Sequence, residues 1–291
     1  ERIGNLVKQY NVQPETIIGL TFNRNAAEQM RQRLVPVLGE LAQRVTLSTI
    51  HSWCHYLLRT EGKVFEIISG KEQINLIRNL MKRKRLDLSV GTILSEISLA
   101  KNNLIGVEEF RALYESDKTM IKVANIYECY EKEKAKKYLL DFDDLLLETY
   151  FLLSDNDAIR EKYAGRYHHI LIDEFQDTNP VQLEIIKLIV DQDNSDDKSY
   201  WIAGDDWQSI YSFAGASVNN ILNFQSTFSS STLFILNINY RSTPQILKAC
   251  QNLISHNVRK IEKTLKTDNP EGDEVIVLES SSEEGEALCL V

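Results

Sequence analysis

The chain has 291 residues, 43% of them apolar and 26% charged, and a formal net charge of −9. That is enough apolar material for one large or two modest domains, and no apolar run approaches the roughly 18–20 residues needed to cross a membrane. Four cysteines without a CxxC pair argue against a metal knuckle or a disulfide framework and fit a reducing, cytoplasmic setting.

The acidic total does not exclude a nucleic-acid partner, because phosphate binding depends on local positive charge. Local basic clusters exist at Lys82-Arg83-Lys84-Arg85 and at Lys132, Lys134, Lys136 and Lys137. Such runs on helices are more often solvated faces than binding surfaces.

In chain order, Ile3, Leu6, Val7 and Tyr10 recur at helical spacing, and 16–22 reads as a strand. Ala26, Met30 and Leu34 then share one helical face, which Pro36 and Gly39 should close, and 45–48 reads as a second strand. From about 66 to 145 strand-like runs vanish. Amphipathic stretches such as Ile74-Ile77-Leu80-Met81 and Ile121-Ala124-Tyr127-Cys129-Tyr130 predict an all-helical insertion. Strand–helix alternation returns over 146–280, with strands expected at 169–173, 200–203, 232–236 and 274–278. Between the first two of these, Asn179 is a helix cap and Pro180 fits the first helical position, with Leu183, Ile186 and Val190 at helical spacing.

Two of those strands end abruptly in polar side chains. Ile170 to Ile172 is followed by Asp173, Glu174, Gln176 and Asp177, and Tyr200 to Ala203 by Gly204, Asp205, Asp206 and Gln208. A continuous apolar run is the pattern of a buried parallel strand, and ligands in open α/β sheets bind beyond the carboxyl ends of such strands. Asp173 there suits Mg2+, a hard cation that takes few carboxylates plus phosphate oxygens and water. Glu174 is then free to orient or deprotonate a water. Gln208 carries an amide that can donate to a terminal phosphate, and Arg241 a bidentate fork for phosphate oxygens. Taken singly, each has a plainer reading: a solvated acidic loop, a surface salt bridge at Arg241, core packing at Phe22, a structural histidine at His51.

Six segments taken together resemble the motifs of superfamily 1 DNA helicases of the UvrD/Rep type. They are Thr21-Phe22-Asn23-Arg24-Asn25-Ala26-Ala27-Glu28-Gln29-Met30, Ser48-Thr49-Ile50-His51-Ser52, Asp141-Phe142-Asp143-Asp144-Leu145-Leu146, Ile172-Asp173-Glu174-Phe175-Gln176-Asp177-Thr178, Gly204-Asp205-Asp206-Trp207-Gln208-Ser209-Ile210-Tyr211-Ser212-Phe213, and Asn239-Tyr240-Arg241-Ser242. They occur in the family's order and span nearly the whole chain.

The resemblance implies an α/β, RecA-like P-loop NTPase fold, a parallel sheet with helices on both faces. Residues 1–65 and 146–280 would form motor domain 1A, 66–145 the helical subdomain 1B, and 281–291 the crossing to a second motor domain. It implies ATP and Mg2+ as cofactors, with Mg2+ on Asp173, water activation by Glu174, and γ-phosphate contacts from Gln208 and Arg241. Single-stranded DNA would run over Thr21, Phe22, Asn23, Thr49, His51, Tyr211 and Phe213, moving 3′ to 5′, with repair or recombination proteins as further partners.

Two departures stand beside it. No Gly-x-x-x-x-Gly-Lys-Ser/Thr loop occurs in the 291 residues, so the chain is expected to be a fragment that is inactive by itself. Residues 213–216 read Phe-Ala-Gly-Ala where most members have Trp-Arg-Gly-Ala, which is similar to the helicase IV branch. The competing expectations are a non-catalytic member that only binds single strands, a helicase subunit of a helicase–nuclease complex, and a scaffold with a degenerate nucleotide site.

Overall fold

The computed structural model describes residues 1–84, 88–190, 198–210 and 215–289. The chain divides into two compact units, Glu1–Ile221 and Leu222–Val291.

The first unit is built on a four-stranded parallel sheet. In chain order it contains α1 (Arg2–Lys8), β1 (Ile17–Thr21), α2 (Arg24–Leu38), β2 (Thr46–Thr49), α3 (Ile50–Thr60), β3 (Glu66–Ile67), α4 (Gly70–Lys84), α5 (Val90–Asn102), α6 (Val107–Leu113), α7 (Lys118–Lys136), β4 (Leu139–Leu140), α8 (Phe142–Asp155), α9 (Asp157–Arg166), β5 (His169–Ile172), α10 (Pro180–Ile189), β6 (Ser199–Ile202) and α11 (Asn219–Leu222). The sheet order is β2-β1-β5-β6, and every neighbouring pair is parallel. All five residues of β1 are buried, the pattern of an inner strand covered on both faces. On one face Ile17, Leu47 and Leu171 pack with Leu6 of α1 and Leu34 and Leu38 of α2. Their alternating neighbours Ile18, Leu20, Ile170 and Ile172 are buried too, so the opposite face is also covered.

Local chemistry sets the helix ends. The Asn23 side chain accepts from the Ala26 amide at 2.8 Å to start α2, and Asn179 accepts from the Gln182 amide at 2.9 Å to start α10, with Pro180 next. Pro36 does not end α2 as the sequence suggested. The helix continues to Leu38, and Gly39 ends it at a φ of +58°. A proline in the last turn forfeits one backbone bond, whereas the reversal needs the glycine.

The insertion has its own core, in which Ile77 and Leu80 of α4, Ile93 and Ile97 of α5, Phe110 of α6, and Val123, Tyr127 and Tyr130 of α7 are buried together. It is helical apart from its two ends, where β3 pairs with β4. A buried ionic network ties it to α8. The Lys101 ammonium lies 2.7 Å from Asp141, 2.6 Å from Asp144 and 2.9 Å from Glu131. Lys134 bridges the same three carboxylates, and the Tyr130 hydroxyl donates to Asp141 at 3.0 Å. Asp141 and Asp144 also cap α8 reciprocally, each accepting from the other's backbone amide. Lys134, expected from its cluster to be solvated, is therefore a buried structural cation. The lysine was misplaced by its neighbours in sequence, because one face of an amphipathic helix is invisible in a count of charges.

The second unit contains α12 (Phe224–Thr227), α13 (Pro244–Ser255) and α14 (Glu283–Cys289). The strands expected at 232–236 and 274–278 do not form. Among the described residues neither stretch has a ladder partner, and Leu236 is 91% and Val277 88% exposed. An apolar run becomes a strand only where a neighbour accepts its hydrogen bonds. The single bridge described in this unit joins Ile238 to Lys266.

Candidate functional site

Because the four strands are parallel, their carboxyl ends lie along one edge of the sheet. Thr21 ends β1 and Phe22 and Asn23 follow it, Thr49 ends β2 and His51 lies in the first turn of α3, Asp173 and Glu174 follow β5, and Gly204, Asp205 and Gln208 follow β6. Thr21, Phe22, His51, Asp173, Glu174 and Thr178 line a common cleft. Residues separated by more than 150 positions are thus neighbours.

The turn after β5 is tightly held. The Asp173 amide continues the ladder to the Leu20 carbonyl at 2.9 Å, and the Phe175 amide donates to the Ala203 carbonyl at 3.0 Å. Between them Glu174 adopts φ +54°, ψ +43°, a left-handed conformation costly for a residue with a Cβ and common at functional sites. The Asp173 carboxylate accepts from the Glu174 amide at 3.1 Å. Burial, with the Glu174 charge beside it, pushes the Asp173 carboxyl above the usual carboxylate range. Asp177 is pushed up to about 6, mainly by burial and further by Glu174. Buried acids crowded in this way favour a cation among them.

The donor set fits Mg2+ of the kind held by one or two carboxylates plus phosphate oxygens and water. The Thr21 hydroxyl and Asp177 Oδ1 are buried at this edge with no hydrogen-bond partner among the described residues. The one cluster of three carboxylates close enough to chelate an ion among the described residues is Glu131, Asp141 and Asp144. Lys101 and Lys134 already neutralise it.

Gln208 is exposed and its amide donates to Asp205 Oδ2 at 2.7 Å, so the loop itself holds it at the sheet edge. Thr49 caps α3, its hydroxyl accepting from the Ser52 amide at 3.2 Å. His51 packs edge-on against Phe142, with ring centroids 6.5 Å apart, and burial lowers its imidazole to about 4. Phe22 is 40% exposed. Tyr211 and Phe213 lie outside the described residues. Arg241 belongs to the second unit, in a turn where the Asn239 side chain accepts from the Arg241 amide at 2.9 Å and the Ser242 amide at 2.7 Å. That Asx turn leaves the guanidinium exposed.

The residue that sequence reasoning left without a role is Gln176. It is 1% exposed, and its side chain joins the β5 turn to the β6 loop. The amide nitrogen donates to Glu174 Oε2 at 2.8 Å, and the amide oxygen accepts from the Asp205 backbone at 3.0 Å. Gly204 makes room for it, since a Cβ there would stand 2.7 Å from Gln176 Oε1. The only signal in the sequence was its place inside the polar cluster after β5.

Comparison with known proteins agrees with this geometry. Residues 1–229 match the UvrD/REP helicase N-terminal domain and 234–291 the UvrD-like helicase C-terminal domain. Both that junction and the boundary between the structural units fall inside the 146–280 stretch that the resemblance assigns, with 1–65, to motor domain 1A. A protein described as a probable DNA helicase II homolog, from Mycoplasma capricolum, is 34% identical over 98% of this chain and 41% of its own length. The ATP-dependent DNA helicase PcrA of Bacillus subtilis is 33% identical over 98% of this chain and 39% of its own length, and that of Leuconostoc citreum 34% over 98% and 39%. The chain thus spans about two fifths of the length of the curated relatives it matches. With the UvrD/REP helicase N-terminal domain matched over residues 1–229 of the 291, the chain belongs to the UvrD/Rep helicases.

Proposed function

We propose that this chain is the nucleotide-hydrolysing and DNA-gripping part of an ATP-dependent DNA helicase that moves 3′ to 5′ on single strands in repair or recombination. The observation that carries the reading is the gathering of Asp173, Glu174, Thr21 and Gln208 on one sheet edge by the order β2-β1-β5-β6. Asp173 would hold Mg2+, which when bound supplies charge neutralisation of the phosphate oxygens. Glu174 orients the attacking water and takes its proton. Gln208 and Arg241 reach for the terminal phosphate, Arg241 with the bidentate geometry that suits it. Phe22, Tyr211 and Phe213 are the rings on which bases stack without regard to sequence, with Asn23, Thr49 and His51 as polar neighbours. The carboxylate pair argues against a member that only binds DNA, since binding alone does not require two crowded, half-buried acids.

The test is Glu174→Gln in the full-length protein that carries this chain. The amide keeps the size but cannot accept a proton. DNA-stimulated ATP turnover should fall by about 10²–10⁴-fold, while nucleotide affinity, read by fluorescence titration, stays within about two-fold of the wild type. Turnover close to that of the wild type would end the assignment of Glu174 as the base.

A further inference from the structure

Gln176 lies between two parts of the site that must act in concert. One is the acid proposed to activate water. The other is the loop that carries Gln208 and leads on toward the DNA-stacking segment. Both are bonded to the same side-chain amide. Gln176 Nε2 donates to Glu174 Oε2 at 2.8 Å and lies 3.4 Å from Asp177 Oδ2. Its Oε1 accepts from the Asp205 backbone at 3.0 Å. The Gln176 carbonyl also accepts from the Ser209 hydroxyl at 3.4 Å. Asp205 in turn accepts from the Trp207 amide at 3.1 Å and from the Gln208 side chain at 2.7 Å. A continuous polar path therefore runs from Glu174 through Gln176 and Asp205 to Gln208.

We infer that Gln176 is a positioning residue that couples the β6 loop to Glu174: its amide bonds the Glu174 carboxylate to the loop, and displacement of the Asp205–Gln208 loop by DNA is passed through it to aim that carboxylate at the attacking water. Three features support this beyond the distances. The amide is buried, so its bonds are not exchanged for water, and a glutamine can serve a carboxylate and a backbone N–H at once because one end donates and the other accepts. The backbone at Glu174 is already committed to a left-handed conformation, which leaves side-chain torsions as the freedom a partner can control. Gly204 is the third. Besides Gln176 Oε1, a Cβ there would meet the Phe175 amide at 3.2 Å, so the loop approaches the turn as closely as a glycine permits.

The inference rests on the proposed role of Glu174, and the experiment separates the two. In the full-length protein, ATP turnover is measured with and without a saturating oligonucleotide for wild type, Glu174→Gln, Gln176→Met and Gln176→Glu. Gln176→Met keeps the shape and loses both bonds. Gln176→Glu keeps the acceptor for the Asp205 amide but replaces the donor to Glu174 by a like charge. Both should leave the KM for ATP within about two-fold and lower DNA-stimulated kcat by about 10- to 100-fold, the scale of a misplaced catalytic group, while DNA-free turnover changes little. Stimulation by DNA thus collapses toward unity. Should Gln176→Met fail to fold, Gly204→Ala disturbs the same amide with Gln176 in place and should give the same loss of stimulation. Wild-type stimulation in Gln176→Glu, or in a folded Gln176→Met, overturns the inference. Near-normal turnover in Glu174→Gln overturns instead the reading it rests on.

Discussion

At the scale of single residues the site is shaped by burial as much as by chemical type. Phe22 is exposed enough to offer a face to a base, so Phe22→Ala should weaken single-strand binding by about 1–3 kcal/mol with little sequence preference. Anisotropy titrations with unrelated oligonucleotides, alongside melting curves, distinguish this from a packing role, which would lower Tm and leave binding normal. Asp143 shows how the same acid type behaves when it is half-buried beside another acid. Burial, with Asp141 beside it, raises its carboxyl from 3.8 to about 6. Its protonated form is the one the fold favours, so its contribution to stability is complete below about pH 3.8 and is lost as pH rises through about 6. Asp143→Asn, still able to accept from the Asn102 amide now 3.3 Å away, should therefore raise Tm above pH 7. The gain should shrink on acidification toward pH 4. A pH-independent difference in Tm would show that the carboxyl is not titrating there.

At the scale of elements, the joint between α5, α7 and α8 carries the most concentrated energetics. Burial alone would push Lys101 down, but Asp141, Asp144 and Glu131 more than offset it and hold the ammonium well above its ordinary range. Asp141 is held well below the usual carboxylate range by Lys101 and Lys134 against the cost of burial. Such a network adds little net stability over an apolar packing of the same volume, yet removing one member leaves a charge stranded. Lys134→Met should thus cost about 3–5 kcal/mol in urea unfolding. Lys134→Met combined with Asp144→Asn should cost less than the two single changes summed. Additivity would mean the groups do not share one network. α8 leads through α9 to β5, so the same joint ties the insertion to the chain segment that enters the parallel sheet.

For the whole molecule, the two units differ in how much they bury. The first carries the sheet, both helical layers and the insertion core, whereas among described residues beyond 221 only Leu247 falls in the buried class. Cooperative unfolding scales with buried apolar area, so residues 1–221 expressed alone should melt in a single transition close to the main transition of the whole chain. Limited proteolysis should cut first beyond residue 222. A 1–221 product without a cooperative transition would show that its core is completed by the rest. Among the described residues no helix is long and apolar enough to cross a membrane.

The sequence by itself determined the repeating local choices. The runs read as strands at 16–22, 45–48, 169–173 and 200–203 became β1, β2, β5 and β6, Asn23, Asp141 and Asn179 cap helices, and polar residues fell just past the strand ends, because each depends on neighbours a few positions away. The family motifs, and with them Asp173, Glu174 and Gln208, were legible for the same reason. Only the tertiary structure decided which distant groups meet. The sheet order brought Thr21 beside Asp173 and let Gln176 reach Asp205, 29 positions on. Helix packing turned Lys134 inward onto a carboxylate ten positions away and Lys101 onto one 43 away. Among the described residues no neighbouring strand pairs with 232–236 or 274–278, whose apolar patterns resemble those of β5 and β6. A period of two marks a side chain's face, but a ladder exists only where another strand supplies its hydrogen bonds, and that partner is chosen in three dimensions.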